Sequence, residues 1–220
     1  MRKTIPYVNG TINPVSGCVK FSRGCQNCYA HIWAQRFRGG DFSLKYFPEK
    51  LEIIRKKKSG LWFVGSMTDL FQDGIEAQEV AKILDAITQS KAKFLFLTKR
   101  AFNMHSFFYA LGTPPENLGI GVTAEGQAEW NERVPILLGI KASMRWVSVE
   151  PILEHVKPDG LERLDWLIAG PETGRKARPY ESKWMTDLWI QSKMWHVPFF
   201  DKRVYADNCR EWPKGWGLNA

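Results

Sequence analysis

From residue 61 onward the chain repeats one pattern, and that pattern constrains the fold more than any other feature: a short β-branched or aromatic run, a polar tip, then a stretch of helical spacing. The runs are Leu61-Trp62-Phe63-Val64, Lys93-Phe94-Leu95-Phe96-Leu97, Leu118-Gly119-Ile120-Gly121-Val122, Arg145-Trp146-Val147-Ser148-Val149 and Trp166-Leu167-Ile168-Ala169. Near-continuous apolar runs of this length suit strands buried on both faces of a parallel sheet. Between the first two, Ala77, Val80, Ala81, Leu84 and Ile87 recur at helical spacing, and Asp73 with Glu76 predicts a capping box at the helix start.

Further helices are expected over about 101–111, 127–140 and 182–195. The second is expected to bend or restart at Pro135, because proline has no amide hydrogen for the helical bond. Val197-Pro198-Phe199-Phe200 predicts a closing strand with Pro198 at its start or on an edge. Strand starts recur every 20 to 32 residues, the length of a βα repeat. The expected fold is α/β, a partial (βα)6-type TIM-like barrel of parallel strands with an N-terminal cysteine loop, favoured over an open doubly wound sheet.

A chain of 220 residues, 44% apolar, can bury one substantial core, so a single domain is expected over 1–220. Within it, 1–60 is read as a basic, cluster-binding segment, 61–202 as the βα repeats and 203–220 as an irregular tail that covers the barrel or docks a partner. No stretch has the roughly 18 to 20 apolar residues of a membrane span, and Met1-Arg2-Lys3-Thr4-Ile5-Pro6 lacks the apolar run of a signal peptide. A cytoplasmic protein with no membrane partner is therefore expected. In a reducing compartment, Cys18, Cys25 and Cys28, crowded into eleven residues, are better metal ligands or catalytic thiols than a disulfide framework.

The formal charge is +8, and its distribution is uneven: residues 1–60 hold twelve Lys/Arg against Asp41, Glu49 and Glu52, a net +9. Such a surface attracts phosphates by Coulomb steering and counterion release, which makes DNA or a nucleotide an expected partner. A solvated basic face, above all at Arg55-Lys56-Lys57-Lys58, explains the same excess without any partner.

The cysteines read C-x6-C-x2-C within Asn13 to Ala30, flanked by Gly17 and Gly24, which would let backbone approach inorganic atoms. Three thiolates suit a four-iron four-sulfur cluster with one iron lacking a cysteine ligand. The competing reading is structural zinc, with His31 or Cys209 as the fourth ligand.

In a parallel barrel, chemistry collects where strands end. The residues there are Ser66-Met67-Thr68-Asp69, Thr98-Lys99-Arg100, Thr123-Ala124-Glu125, Ser148-Val149-Glu150 and Gly170-Pro171-Glu172-Thr173-Gly174. Any one of them could be a helix cap, but their recurrence places carboxylates, hydroxyls and cations on one rim. That rim suits the ammonium, ribose and carboxylate of an adenosyl cofactor. It also suits magnesium for phosphoester hydrolysis, a reading that leaves the cysteines unexplained.

Several of these segments, with Asn13-Pro14-Val15-Ser16-Gly17-Cys18, Gly24-Cys25-Gln26-Asn27-Cys28-Tyr29-Ala30, Leu97-Thr98-Lys99-Arg100, Gly121-Val122-Thr123-Ala124-Glu125, Val147-Ser148-Val149-Glu150-Pro151 and Ala177-Arg178-Pro179, resemble in order a largely uncharacterised, phage-associated three-cysteine family. That family looks like a compact branch of the radical S-adenosylmethionine superfamily, and the resemblance spans about residues 10 to 202. The chain departs from the superfamily's commonest C-x3-C-x2-C spacing, and Asn27 stands where an aromatic residue is frequent. Ile12 replaces a usual tryptophan, Gly170-Pro171-Glu172 a pair of glycines before glutamate, and Asp201-Lys202 a lysine-glutamine pair.

The resemblance implies an enzyme that uses a 4Fe-4S cluster and S-adenosyl-L-methionine to generate a 5′-deoxyadenosyl radical, as an isomerase, lyase or transferase. It implies Cys18, Cys25 and Cys28 as cluster ligands. Ser66, Asp69, Glu125 and Ser148 are expected to contact the cofactor, and Lys99, Arg100, Glu150, Glu172 and Arg178 to face the substrate, a nucleotide or modified phage DNA base. An electron donor such as flavodoxin or ferredoxin is a further expected partner, in a bacterial or phage-infected cell. The alternatives from other classes are a zinc-stabilised nucleic-acid-binding protein without turnover and a magnesium-dependent phosphoesterase.

Overall fold

The computed structural model describes residues 5–203 and 209–219. Arg2 and Lys3 of the basic segment and residues 204–208 of the tail lie outside the described residues. In chain order the main elements are β1 (Gly10–Ile12), β2 (Val15–Ser16), α1 (Tyr29–Phe37), β3 (Lys45–Tyr46), α2 (Lys50–Arg55), β4 (Leu61–Val64), α3 (Ala77–Thr88) and β5 (Lys93–Thr98). They continue with α4 (Ala101–Leu111), β6 (Leu118–Thr123), α5 (Gln127–Leu138), β7 (Met144–Val149), β8 (Trp166–Ala169), α6 (Ser182–Met194) and β9 (Phe199–Asp201).

Seven strands form one parallel sheet in the order β1-β4-β5-β6-β7-β8-β9. The order never reverses, so the sheet has no switch point of the doubly wound kind and curls into a half-barrel. The β1 strand was not legible as a strand: Gly10-Thr11-Ile12 is short and has a single buried residue, Ile12. Its pairing with β4, Gly10 to Trp62 through Ile12 to Val64, makes the segment before residue 60 part of the sheet and gives seven strands where six were expected.

Alternate side chains of each strand face opposite ways. Val64, Phe94, Phe96, Leu118, Ile120, Val122, Val147, Leu167 and Phe199 join the large core under the helices. Leu61, Phe63, Leu95, Met144, Trp146, Trp166, Ile168 and Phe200 form a second cluster on the inner side with Tyr7, Val8 and Trp216. Two wide inner residues need space, and β6 supplies it with glycines. A Cβ at Gly119 would fall 2.4 Å from Met144 Cε, and one at Gly121 would fall 2.5 Å from Trp146 Cε2.

The C-terminal tail is the inner cover. Arg210 bridges Phe200 in antiparallel sense, Trp166 Nε1 donates to Glu211 O (2.8 Å) and Trp212 Nε1 to Tyr7 O (3.0 Å), with Trp216 buried among the inner residues.

Other boundaries differ for local reasons. Helix α3 starts one residue after Glu76, whose amide donates to Glu79 Oε2 (3.3 Å), so the capping interaction sits three positions later than Asp73-Glu76. Helix α5 runs through Pro135 without restarting and ends at Leu138. Pro198 precedes β9, and its carbonyl accepts from Leu167 N (3.0 Å). A small antiparallel ribbon of β2 and β3, with α2 after it, lies within what the sequence marked only as the basic segment 1–60.

Candidate functional site

The segment from Asn13 to Cys28 leaves the end of β1 and is fastened across the C-terminal ends of the neighbouring strands. Asn13 Oδ1 accepts from Ser66 Oγ and Met67 N, both at 3.1 Å. Gly17 O accepts from Thr68 Oγ1 and Gln72 Nε2, both at 2.7 Å, and Val19 N donates to Gln72 Oε1 (2.8 Å). Arg100 Nη2 donates to Val19 O (3.2 Å), its guanidinium 4.6 Å from the Phe21 ring. Ser22 Oγ donates to Glu125, Arg23 grips Glu129 and Glu154 at 2.8 to 3.0 Å, and Asn27 Nδ2 donates to Glu172 Oε2 (2.9 Å) and Lys176 O (2.8 Å). One loop thus ties together the segments that follow β4, β5, β6, β7 and β8.

Cys18, Cys25 and Cys28 ride on this loop as free thiols. Cys25 ends a single 3-10 turn, Arg23–Cys25, and Cys28 is the N-cap of α1. Burial, with the Asp69 carboxylate beside it, pushes the Cys18 thiol up to about 11. Among the described residues, no three His, Cys, Asp or Glu side chains are gathered so as to hold a metal ion. His31, a candidate zinc ligand, packs edge-on against Phe42 at 4.7 Å, and its buried Nε2 has no hydrogen-bond partner among the described residues. Cys209 packs against the helix-side core.

The two glycines of the loop face protein. A Cβ at Gly17, where φ is +106°, would meet Ser43 O at 2.3 Å, and one at Gly24 would meet Glu125 Oε1 at 2.4 Å. Their small size is required to seat the loop, a reason that the sequence did not reveal.

Beneath the loop, Glu125 is fully buried and accepts from Ser22 Oγ, Lys99 Nζ and Arg133 Nη1, the last at 3.0 Å. Burial alone would raise its pKa, but Lys99 and Arg133 reverse that and hold the carboxyl below its ordinary value. On the next strand, buried Ser148 donates to Glu150 Oε2 (2.9 Å), and Glu150 pairs with Lys202. Gly170 leaves the room they need: a Cβ there would stand 2.9 Å from Lys202 Cβ and 3.2 Å from Glu150 Oε1. Lys99, Glu125, Ser148 and Glu150 therefore sit together at the ends of β5, β6 and β7.

Asp69 and Arg100 are used differently. Asp69 is buried and accepts from Thr98 Oγ1 (2.6 Å), Lys99 N (3.0 Å), Phe71 N (3.1 Å) and Arg100 Nη1 (3.1 Å), so both of its oxygens are engaged within the protein. Ser66 spends its hydroxyl on Asn13, and its carbonyl accepts from Tyr29 Oη. Glu172 receives Arg178 through Nη2 (2.5 Å) and Nε (2.9 Å), and this pairing lowers its carboxyl to about 2.

Three participants were not picked out from the sequence. Arg133 was detectable as a charge between apolar Trp130, Val134 and Leu137 on one helix face. Ser22 and Lys202 carried no local signal, because their partners are Glu125 and Glu150, far away in the chain.

The comparison with protein families is decided by one match, which covers residues 2–211 and therefore nearly the whole chain. The chain belongs to the family described as protein of unknown function (DUF5131). That description assigns DUF5131 no activity, cofactor or source. No curated protein and no solved structure matches this DUF5131 chain. No described helix is long and apolar enough to cross a membrane.

Away from the loop, an open depression of about 530 Å³ lies between the segment 155–162 and α6, lined by His155, Asp159, Glu162, Asp187 and Trp195. It shares no residue with the rim.

Proposed function

We propose that this DUF5131 protein is a radical S-adenosylmethionine enzyme, and that its half-barrel is a partial TIM-like barrel of the corresponding kind. One observation carries the reading: the loop with three unpaired thiols leaves β1 and is fastened across the C-terminal strand ends, through Val19 to Arg100, Ser22 to Glu125 and Asn27 to Glu172. By its chemistry the donor set suits a four-iron cluster, three soft thiols in no disulfide that would leave one iron for a cofactor, and binding would draw together thiols that are not gathered here. A bound cluster would supply the electron that cleaves S-adenosylmethionine to methionine and a 5′-deoxyadenosyl radical, which takes hydrogen from the substrate.

The chain's own residues then divide the work. Cys18, Cys25 and Cys28 would hold the cluster. Ser22 on Glu125 and Asn27 on Glu172 keep their loop closed over the mouth and so exclude water. Glu125 and Ser148, buried beneath the loop, shape the cofactor side of the rim, where Asn13 holds Ser66 at the first tip. Lys99, Glu150 and the Glu172–Arg178 pair face the substrate, for which the +9 segment favours a nucleotide or a DNA base. Asp69 and Arg100 act as positioning residues, holding the β4 and β5 ends to the loop.

The test is anaerobic purification with metal and sulfide analysis, then reduction with dithionite or flavodoxin in the presence of S-adenosylmethionine. About four iron and four sulfide per chain, with 5′-deoxyadenosine released, is the expected result. A colourless protein with one zinc and no 5′-deoxyadenosine would overturn the proposal in favour of a zinc-stabilised binding protein. Phosphodiester hydrolysis that survives Cys18→Ala and is lost in Glu150→Ala would overturn it in favour of a magnesium-dependent phosphoesterase.

A further inference from the structure

Helix α1 is built the reverse way round for a helix on a soluble core. Its two buried residues are Ala30 and Ala34, one turn apart, so it rests on the protein through methyl groups. Three of its large residues point outward, Ile32 52% exposed, Trp33 40% and Phe37 62%, while Tyr29, half-exposed at its ring, turns its hydroxyl in to the Ser66 carbonyl. At 3.6 residues per turn, these three and Arg36 share one side of the helix. Phe21, 50% exposed, adds another ring from the cysteine loop. A cluster of outward aromatic residues of this kind marks a binding surface rather than scattered surface apolarity.

The cations of the surface identify what it binds. Arg38 lies 5.0 Å from the centre of the Trp33 ring, Arg36 lies 5.4 Å from that of Phe37, and the two rings are 5.6 Å apart. Among the described residues, neither arginine is in an ion pair, nor is Lys20, which donates to Gln26 O at 3.3 Å. The nearby Asp41 is taken by Lys45. Positive charge is thus left uncompensated beside exposed π-faces, in the segment that carries a net +9.

We propose that the outer face of α1 is a docking surface for single-stranded nucleic acid, with bases stacking on Trp33 and Phe37 and phosphates meeting Arg36 and Arg38. Stacking platforms next to a cationic track are how proteins hold a single strand, whose bases expose faces that a duplex hides. A second copy of the chain fits poorly, because two such cationic faces repel. A membrane fits poorly because an interfacial helix separates its charged face from its apolar face, whereas here the arginines lie over the rings. As a statement about substrate the proposal rests on the enzyme reading above, since Cys28 caps the N-terminus of α1, which would lead a strand towards the cysteine loop. As a binding surface it stands on these residues alone.

The test is fluorescence anisotropy of the full-length protein with a labelled, mixed-sequence DNA strand of roughly 16 nucleotides, its RNA counterpart and the DNA duplex. Single strands should bind more tightly than the duplex, and affinity should fall steeply with salt. Trp33→Ala and Phe37→Ala should each weaken binding roughly tenfold, with Trp33→Phe restoring most of it. Arg36→Gln should reduce the salt slope by about 0.7, the release expected for one phosphate contact on a single strand.

Failure to bind at low salt, or unchanged affinity in both alanine variants with the fold intact by circular dichroism, would overturn the proposal. So would a loss on Trp33→Ala of binding to phosphatidylglycerol vesicles, or of self-association in sedimentation, while oligonucleotide binding stays unchanged. The two readings fail separately. Trp33→Ala should leave substrate-free release of 5′-deoxyadenosine unchanged, so oligonucleotide binding without that product sinks only the enzyme. Product with Trp33-independent binding sinks only this surface.

Discussion

The Ser22 hydroxyl donates to the carboxylate of Glu125, a residue 103 positions away and fully buried at the end of β6. Through this bond the cysteine loop is registered to the sheet. The same carboxylate also pairs with Lys99 and Arg133, so loop position and rim electrostatics depend on a single group.

Glu125→Gln should therefore be costly. It removes the charge opposite Lys99 and Arg133 while leaving both cations in place, and breaking a buried pair on one side typically costs about 3 to 5 kcal/mol. Urea unfolding at neutral pH measures it, and a change under about 1 kcal/mol would contradict the role given to Glu125.

The same residue predicts an acid limb. A carboxyl whose folded pKa is depressed contributes stability that is present above its unfolded value of about 4.3 and is lost as pH falls through the folded value. Thermal melts of the native chain should drop across that acid range, and Glu125→Gln should flatten the drop.

Gly24→Ala tests how the loop is seated. The added methyl would meet the Glu125 carboxylate at 2.4 Å, so the loop must lift or the carboxylate must give way. The expected cost is roughly 1 to 3 kcal/mol, read as lower iron incorporation on anaerobic reconstitution. Gly39→Ala, with open space around its Cβ site, is the control for the mutation itself, although its φ of +59° adds some strain.

The cysteines should separate cleanly. Cys18→Ala, Cys25→Ala and Cys28→Ala should each abolish 5′-deoxyadenosine formation and lower bound iron. Cys209→Ala should leave both intact, because Cys209 packs against the helix-side core. Iron loss with Cys209→Ala equal to that with Cys18→Ala would contradict the ligand assignment.

Gly121→Ala probes the half-barrel itself. Its Cβ would stand 2.5 Å from the buried Trp146 ring, which is surrounded by Tyr7, Phe63 and Trp166 and cannot yield without displacing them. A loss of about 1 to 3 kcal/mol in unfolding free energy is expected.

What the sequence determined by itself is the repeating βα pattern and the identity of the chemical groups. Continuous apolar runs can be satisfied only by strands covered on both sides, so β4 to β8 were legible from local composition. The polar residues at their ends, from Ser66 to Glu172, and the three clustered thiols were legible for the same reason, since each is a short-range pattern.

Tertiary structure alone decided how those groups are used. Gly10-Thr11-Ile12 becomes a strand only because β4 offers it an edge. Gly17 and Gly24 are small because Ser43 and Glu125 press against them. Asp69 and Arg100 turn inward because each completes the other's hydrogen bonds, while Ser22, Arg133 and Lys202 gain roles from partners far away in sequence. Local spacing encodes periodicity and chemistry; a contact between distant residues depends on the curvature of the sheet, which no single segment contains.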